Sequence, residues 1–461
     1  MKYLTADFGS TYTKLTAIDA AKSCVLGVST AFTTIETNVM DGFNAAFSSL
    51  ERQIGKFEYD EVLFCSSAAG GLKMIALGLV PELTAKAAKM AANSAGAKVV
   101  KTYSFEISKT EEEEIYQINP DLVLLCGGTD GGNKEVITAN ARRLCAIKRN
   151  FSIIAAGNKS ASHELETIFS ASDKDWVITE NVMPEFNKLN IAPAKEKIKE
   201  LFINKIIDAK GLSNAQKMTR FRIIPTPLAV LNGCELLSKG TQNQAGIGDL
   251  VAIDIGGATT DVYSMSYGAP TIPNAMVKGL PEPYAKRTVE GDLGMRYSLT
   301  SLADELDLER LASELNIEKE RVTEWINTCA ANPDTLAEKH SLQQRLEELL
   351  AQNAIRMAVE RHCGIYQPAY TPFGQVYTLT GKDLSATPHV IGIGGVIIHS
   401  ENPRYILEGA KADPVDYTHA KPKNPQYLLD KKYIFASMGL LSAIDADLAL
   451  KIMKKEIVLA P

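Results

Sequence analysis

The chain has 461 residues, enough for roughly two to four domains at about 100–200 residues each. Hydrophobic residues make up 45% and charged residues 23%, which excludes wholesale disorder, a collagen-like repeat and a disulfide scaffold. With 49 Lys+Arg against 55 Asp+Glu the net charge is −6, so the strongly basic balance of a nucleic-acid binder is missing.

The first elements in chain order are short apolar runs, Tyr3–Asp7, Leu15–Asp19 and Val25–Thr30, expected as consecutive strands joined by tight turns. Val39–Ile54 carries apolar residues at helical spacing behind a candidate N-cap, Asn38. Val62–Cys65 reads as a buried strand ending in the small-residue turn SSAAGG. A helix over Pro81–Ala95 and a strand over Val99–Phe105 follow. The apolar run Asp121–Cys126 ends in the loop GGTDGG. Helix Lys134–Lys148, strand Phe151–Ala156, a helix from Ser162 and strand Trp176–Thr179 continue a β-α-β rhythm that predicts a parallel sheet covered on both faces. Pro193–Lys210 has Pro in the first turn of a helix.

Around Gly240–Gly248 the chain turns polar and glycine-rich, and the main boundary is expected there. Leu250–Ile255 opens a second strand system. Arg296–Cys363 is helical in pattern and reads as a helical insert. Strands return at Gln375–Leu379 and Val390–Ile398, Asn402–Lys432 reads as an ordered surface loop, and a helix closes the chain over Ala436–Lys455. The expected domains are 1–245, with an extra αβ segment at about 110–210, then 246–435 with the helical insert at about 296–363, then a C-terminal helix in 436–461 packing back toward the first half.

The seven cysteines are scattered, with no Cys-x-x-Cys pair, as in a reduced cytoplasmic protein. The N-terminus lacks a signal-peptide core and no apolar stretch reaches the roughly 20 residues of a membrane span, so no membrane partner is expected. The six histidines are dispersed and none is promoted to a ligand. Glu111–Glu114 reads as the solvated start of a helix, favoured by the dipole. Lys421–Lys432 reads as a solvated basic stretch, with partner surface as the alternative.

One internal repeat carries the chemistry. YLTADFGSTYTKLTAID near the start and LVAIDIGGATTDVYSMS after the boundary share the order apolar strand, Asp, any residue, Gly, small residues, Thr, second strand. Asp7 matches Asp254 and Gly9 matches Gly256, which predicts two related halves facing a common cleft. The N–H groups of Gly9–Ser10–Thr11 and of Gly256–Gly257–Ala258 suit an anion-cradling concavity, with Thr13 and Thr259 beside them. Each such N–H bonded to a phosphate oxygen contributes about 1.5–3 kcal/mol. Asp7 and Asp254 suit Mg²⁺, which keeps its waters and takes few carboxylates. Lys14, on the second strand, is in reach of a β- or γ-phosphate. Two ordinary hairpins with a turn glycine are the alternative.

A third element is VIGIGGVIIH, where Gly392, Gly394 and Gly395 interrupt a buried strand. It lacks the spacing of a dinucleotide fingerprint, but suits close approach of a base or α-phosphate. Ser66 and Ser67 are placed either to meet phosphate or to cap a helix. Asp130 in GGTDGG is either an orienter of water or Mg²⁺ or a turn residue. Glu290, Asp292 and Arg296 are open between cleft contacts and ordinary surface charge.

Together these motifs resemble the actin, Hsp70 and sugar-kinase superfamily, in which LTADFGSTYTK and LVAIDIGGATTDV match the two phosphate motifs, VIGIGGV the adenosine motif and ASMGLLS (Ala436–Ser442) the second connecting segment, with Gly439 where hinge helices pack closely. The resemblance implies an α/β protein with two RNase-H-like, actin-like ATPase domains flanking a nucleotide cleft, binding ATP or ADP with Mg²⁺ at Asp7 and Asp254. With the residue readings above, the candidate catalytic set is Asp7, Asp254, Lys14 and Asp130. FCSSAAGGLKM, LLCGGTDGGN, RTVEGDLGMR and TLTGKDLS are similar to the narrower MutL or GlmL family, which is unrelated to the mismatch-repair protein sharing the first name. That resemblance implies a chaperone-like ATPase that assists a cobalamin-dependent mutase, glutamate mutase in the family. The rivals are a small-molecule kinase of the same superfamily, an activator of 2-hydroxyacyl-CoA dehydratases, and a nucleotide-binding scaffold without hydrolysis.

Overall fold

The computed structural model describes residues 1–9, 11–34, 38–67, 73–207, 212–372 and 374–461. The chain divides into two compact units: Met1–Gly233 with Gly279–Pro281 and Phe435–Ile452, and Cys234–Lys278 with Glu282–Ile434 and Met453–Pro461.

The strands of the first unit are β1 (Lys2–Phe8), β2 (Tyr12–Asp19), β3 (Cys24–Phe32), β4 (Glu61–Ser66), β5 (Lys73–Gly78), β6 (Lys98–Ser104), β7 (Leu122–Leu125), β8 (Ser152–Ala155), β9 (Trp176–Ile178) and β10 (Ile224–Pro225). One sheet has the order β10-β4-β1-β2-β3. Its β1–β2 and β2–β3 pairs are antiparallel, while β4 runs parallel to both β1 and β10. β1 lies in the interior of this sheet, so both its faces are buried apart from Lys2. Helix Val39–Ile54 covers one face with Val39, Phe43, Ala46 and Leu50, and Asn38 caps it by accepting from the Met40 N–H at 2.9 Å.

A second sheet, β6-β5-β7-β8-β9, is parallel throughout. The continuous apolar run at β7 follows from this position. Leu122 and Leu124 join Leu4 and Phe8 in one core, and Val123 and Leu125 face another with Phe151 and Phe169. This sheet begins at β5, in the stretch after SSAAGG, where the sequence reading places no strand. The helix after Phe105 opens with a capping box, Ser108 to Glu111, and in the rest of the acidic run Glu112 pairs with Arg143 and Glu114 with Lys101.

The second unit contains β11 (Leu250–Ile255), β12 (Thr260–Met265), β13 (Met276–Lys278), β14 (Ala285–Glu290), β15 (Ile365–Thr371), β16 (Gly374–Thr380), β17 (His389–Ile393), β18 (Gln426–Leu429) and β19 (Val458–Leu459). Its main sheet has the order β14-β12-β11-β17-β18-β19. β11, β12 and β14 form an antiparallel meander, and β11, β17 and β18 run parallel. Reading fifth strand to third, both main sheets contain the order 5-4-1-2-3 with the same strand senses, the RNase-H-like pattern, and β19 adds an antiparallel edge strand to the second. The repeat in the sequence is therefore a repeat of fold.

Arg296–Cys363 is helical, in four pieces ending with the long helix Leu342–His362. That last helix is not an appendage. Its Leu346, Leu350 and Ala354 share a core with Val251, Ile253 and Ile255 of β11, so it is the layer that covers the second sheet. The stretch Asn402–Lys432 is also more than a surface loop: it holds helix Pro403–Leu407 and strand β18. Lys421 within it is buried, with Nζ 3.0 Å from Glu360, instead of solvated. The C-terminal stretch forms two helices, Phe435–Leu441 and Ala446–Glu456. Gly439 in the first of these lies on helix Thr226–Lys239, and a Cβ there would stand 1.8 Å from the Ala229 carbonyl oxygen, so only glycine fits this crossing.

Candidate functional site

The two hairpins are superposable in their bonding. In the first, Asp7 pairs with Lys14 and Phe8 with Thr13, and the Gly9 N–H donates to the Tyr12 carbonyl at 3.1 Å. In the second, Asp254 pairs with Asp261 and Ile255 with Thr260, and the Gly256 N–H donates to the Thr259 carbonyl at 2.9 Å. A side chain at Gly9 would place Cβ 2.6 Å from the Tyr12 oxygen, so the turn itself demands glycine. At Gly257 such a Cβ would be in ordinary contact with Arg296 at 3.5 Å and Tyr297 at 3.6 Å, so the packing there does not demand glycine. Ser10 lies outside the described residues; Thr11 is described and its carbonyl accepts from the Thr33 N–H at 2.8 Å.

Asp7 is buried at the end of β1. Its Oδ1 accepts from the Thr226 hydroxyl at 2.5 Å and faces the Cys65 thiol at 3.5 Å, while Oδ2 stands 4.0 Å from Lys14 Nζ. Burial, followed by the Asp7 charge, pushes the Cys65 thiol well up, so it stays protonated. Asp254 is half-buried at the end of β11, and the Tyr433 hydroxyl is 3.3 Å from its Oδ1 and 3.2 Å from its Oδ2. Thr226 follows the fifth strand of the first sheet and Tyr433 follows that of the second. Thr226 opens the helix directly after its fifth strand, and Tyr433 lies in the segment joining its fifth strand to the next helix. Sequence reading missed these two residues, because the motif repeat does not extend that far. Only aligning the halves by fold exposes them.

The remaining predicted residues fall into distinct environments. Thr13 is fully buried with its hydroxyl 3.1 Å from that of Thr33, and its counterpart Thr260 donates to the Leu293 carbonyl at 2.5 Å. The Thr259 hydroxyl donates to Asp261 at 3.4 Å. Ala258 is exposed, and its carbonyl accepts from the Ser298 hydroxyl at 2.8 Å. Ser66 is buried at the end of β4 with Oγ 3.4 Å from the Phe8 carbonyl, and the Ser67 N–H donates to that carbonyl at 2.9 Å. The rest of that turn, 68–72, lies outside the described residues. Asp130 sits after β7, in the second sheet of the first unit. Its Oδ1 accepts from the Lys159 N–H and Asn181 Nδ2, both at 3.0 Å, which ties three loops of that layer together.

The three glycines after β17 differ in kind. Gly392 leaves room for Ile397 and Leu407. Gly394, at φ +100°, lies against the second hairpin, where a Cβ would be 2.4 Å from the Ile255 oxygen and 2.9 Å from Asp254 Oδ1. Gly395 begins a short helix and has nothing nearer its missing Cβ than His399, at 3.8 Å. The motif RTVEGDLGMR braces the hairpin instead of facing outward. The Met295 N–H donates to Gly256 O at 3.0 Å and the Arg296 N–H to Gly257 O at 2.8 Å. The Arg296 side chain pairs with Glu347 at 2.6 Å, and Glu290 and Asp292 pair with Arg361 at 3.1 and 2.7 Å. These charges hold the helical layer to the sheet.

Among the described residues there is no group of three or more His, Cys, Asp or Glu arranged to hold a metal ion. A cation at Asp7 or Asp254 would meet hard oxygen donors, few in number, and complete its shell with water and phosphate. That donor chemistry fits Mg²⁺.

A family model described as MutL protein matches residues 3–457. The chain belongs to the MutL protein family. Protein MutL of Clostridium tetanomorphum is 47% identical over 458 residues, covering 99% of both chains. Among solved structures, nucleotide-free acetone carboxylase aligns at 14% identity over 95% of this chain and 70% of its own, with a TM-score of 0.42. The activator of 2-hydroxyisocaproyl-CoA dehydratase from Clostridium difficile, with bound ADPNP, aligns at 10% identity over 99% and 98%, TM-score 0.31. Ligand-bound xylulose kinase from Lactobacillus acidophilus aligns at 10% over 100% and 94%, TM-score 0.34. None of the described helices is long and apolar enough to cross a membrane.

Proposed function

We propose that this member of the MutL family is a nucleotide-dependent accessory factor, an ATPase of chaperone type that serves a cobalamin-dependent mutase. The observation that carries the nucleotide reading is the matched pair of hairpins, each placing an aspartate at a strand end beside a glycine turn in the same strand order. Backbone N–H groups of the turns receive phosphate oxygens, and Lys14 adds a charge at the first hairpin. Asp7 and Asp254 would hold Mg²⁺, which when bound neutralises phosphate charge. Hydrolysis then needs little beyond positioning of nucleotide and water. The mutase is assigned through the family resemblance alone.

The kinase reading requires a free base near a shaped substrate pocket, and its best candidate, Asp130, is engaged by Lys159 and Asn181. The accessory reading is tested by phosphate release and by calorimetry with ATP and Mg²⁺. Asp7→Asn and Asp254→Asn are each expected to lower Mg²⁺-dependent phosphate release by about a hundredfold or more, the scale of losing a preorganised charge contact. Thermal unfolding should be close to wild type. Normal turnover in either variant removes that aspartate from the site.

A further inference from the structure

The Tyr433 hydroxyl is 3.3 and 3.2 Å from the two oxygens of Asp254. Being nearly equidistant, it lies on the mirror plane between them. A cation held by both oxygens of one carboxylate must lie on that same plane. A cation held by one oxygen, or through its own waters, need not.

The phenol is held there by a rigid path. The Asp430 N–H donates to Gly392 of β17 at 3.0 Å, and β17 pairs with β11, which carries Asp254. Asp430 is fully buried. Its carbonyl accepts from the Tyr433 N–H and its Oδ1 from the Ile434 N–H, both at 3.0 Å. Tyr433 itself has φ +55°, a left-handed conformation that a bulky residue rarely adopts. Backbone strain of this kind persists only where the surroundings impose it, and it clusters at functional positions. At the first hairpin the arrangement is different, since Thr226 approaches one oxygen of Asp7 only.

Cations differ in what they ask of a carboxylate. Ca²⁺ takes many oxygens and accepts bidentate carboxylates, whereas Mg²⁺ demands an octahedron, keeps several waters and uses one oxygen per carboxylate. We propose that Tyr433 is a specificity-determining residue: its hydroxyl, bonded on the plane that a cation taking both oxygens of Asp254 must share, favours Mg²⁺ with its waters over Ca²⁺. This rests on the reading of Asp254 as the metal carboxylate of a nucleotide site, and it extends that reading to the choice of ion.

The experiment is calorimetric titration of ADP into the full-length protein with Mg²⁺ or with Ca²⁺, for wild type, Tyr433→Phe and Tyr433→Gly. The glycine variant adopts φ +55° without strain, so a folding defect does not mask the result. Wild type is expected to bind ADP with Mg²⁺ at least about tenfold tighter than with Ca²⁺, the scale of one charge-assisted hydrogen bond. Both variants are expected to bring that ratio toward one by tightening binding with Ca²⁺. An unchanged ratio in both variants, or no preference in wild type, overturns the proposal and leaves the nucleotide site standing. Absence of ADP binding by wild type with either ion overturns both readings.

Discussion

Lys14 and Asp261 occupy the same position in the two hairpins, opposite Asp7 and Asp254 respectively, with opposite charge. The first hairpin therefore carries its own counter-charge, while the second places two carboxylates on neighbouring strands. Arg287 of β14 compensates, bonding Asp261 at 2.6 Å with its side chain nearly fully buried. The two hairpins thus differ at this position: the first carries a cation opposite its aspartate, the second an acid neutralised by Arg287.

Arg287→Gln is expected to leave Asp261 unpaired beside Asp254. Removing one partner of a buried pair costs about 3 kcal/mol or more. Chemical denaturation measures this directly. A change within about 0.5 kcal/mol, the range of surface substitutions, would show that the ion pair is dispensable.

Gly394 and Gly395 separate two causes that the glycine motif alone confounds. Gly394→Val is expected to lower stability, because its Cβ would collide with the Ile255 oxygen at 2.4 Å. Gly395→Val meets only an ordinary contact, His399 at 3.8 Å from its Cβ, and is expected to fold normally while weakening ATP and ADP by a similar factor. Calorimetry with both nucleotides checks it. Wild-type affinity for ADP in Gly395→Val would take this strand end out of the base or α-phosphate site.

A buried polar network in the second unit sets a pH dependence. Lys382 Nζ donates to the Tyr284 carbonyl at 2.6 Å and to Ser264 Oγ at 3.2 Å, and Ser264 Oγ meets His362 Nε2 at 2.8 Å. Burial first, then the Lys286 charge, lowers Lys382 to about 7, against the opposing pull of Glu282 and Asp249. Burial, Lys286 and Lys382 also lower His362 well below its ordinary value. Both are bases with depressed folded values, so the unfolded chain binds more protons and stability rises with pH. Lys382 contributes this slope between about 7 and its ordinary 10.5, and His362 below 6.5. Lys382→Met is expected to flatten the unfolding free energy between pH 7 and 9, and His362→Gln the part below pH 6.5. Slopes identical to wild type would mean that these groups do not titrate on unfolding.

The architecture was legible where local chemistry and tertiary role agree. Gly9 announces its hairpin because that turn leaves no room for a Cβ, Asp7, Asp254 and Gly256 are legible through the repeat, and the run at Leu122–Leu125 announces a strand buried on both faces. β5 was illegible: Lys73–Gly78 lies between a small-residue loop and a Pro-started helix, with nothing to mark its ends. β18 was hidden by the polar sequence on both sides of it. Thr226, Tyr433 and Arg287 belong to the candidate sites only through strand order, which brings together residues that no local pattern links. The same limit explains Arg296, whose partner Glu347 is far along the chain.

The last prediction concerns the partner. ATP turnover is expected to change this protein's hold on a cobalamin-dependent mutase, so that mutase inactivated with cyanocobalamin recovers when adenosylcobalamin, ATP and Mg²⁺ are supplied with it. Two features motivate this. Each hairpin sets an aspartate beside a glycine turn, as the proposed nucleotide site needs, and the chain carries layers the paired hairpins do not need: the five-stranded parallel sheet and the helices preceding Leu342. The energetics are permissive. Shifting a two-state protein from 1:99 to 99:1 takes about 5.5 kcal/mol of differential binding. A few charge-assisted phosphate contacts, at about 1.5–3 kcal/mol each, supply that if they differ between states. The comparison is wild type against Asp254→Ala, with ATP and with ADP. Recovery with wild type and ATP alone supports the accessory role. Equal recovery with both proteins, or none with either, overturns ATP-driven reactivation and leaves a factor that binds nucleotide without acting on the mutase.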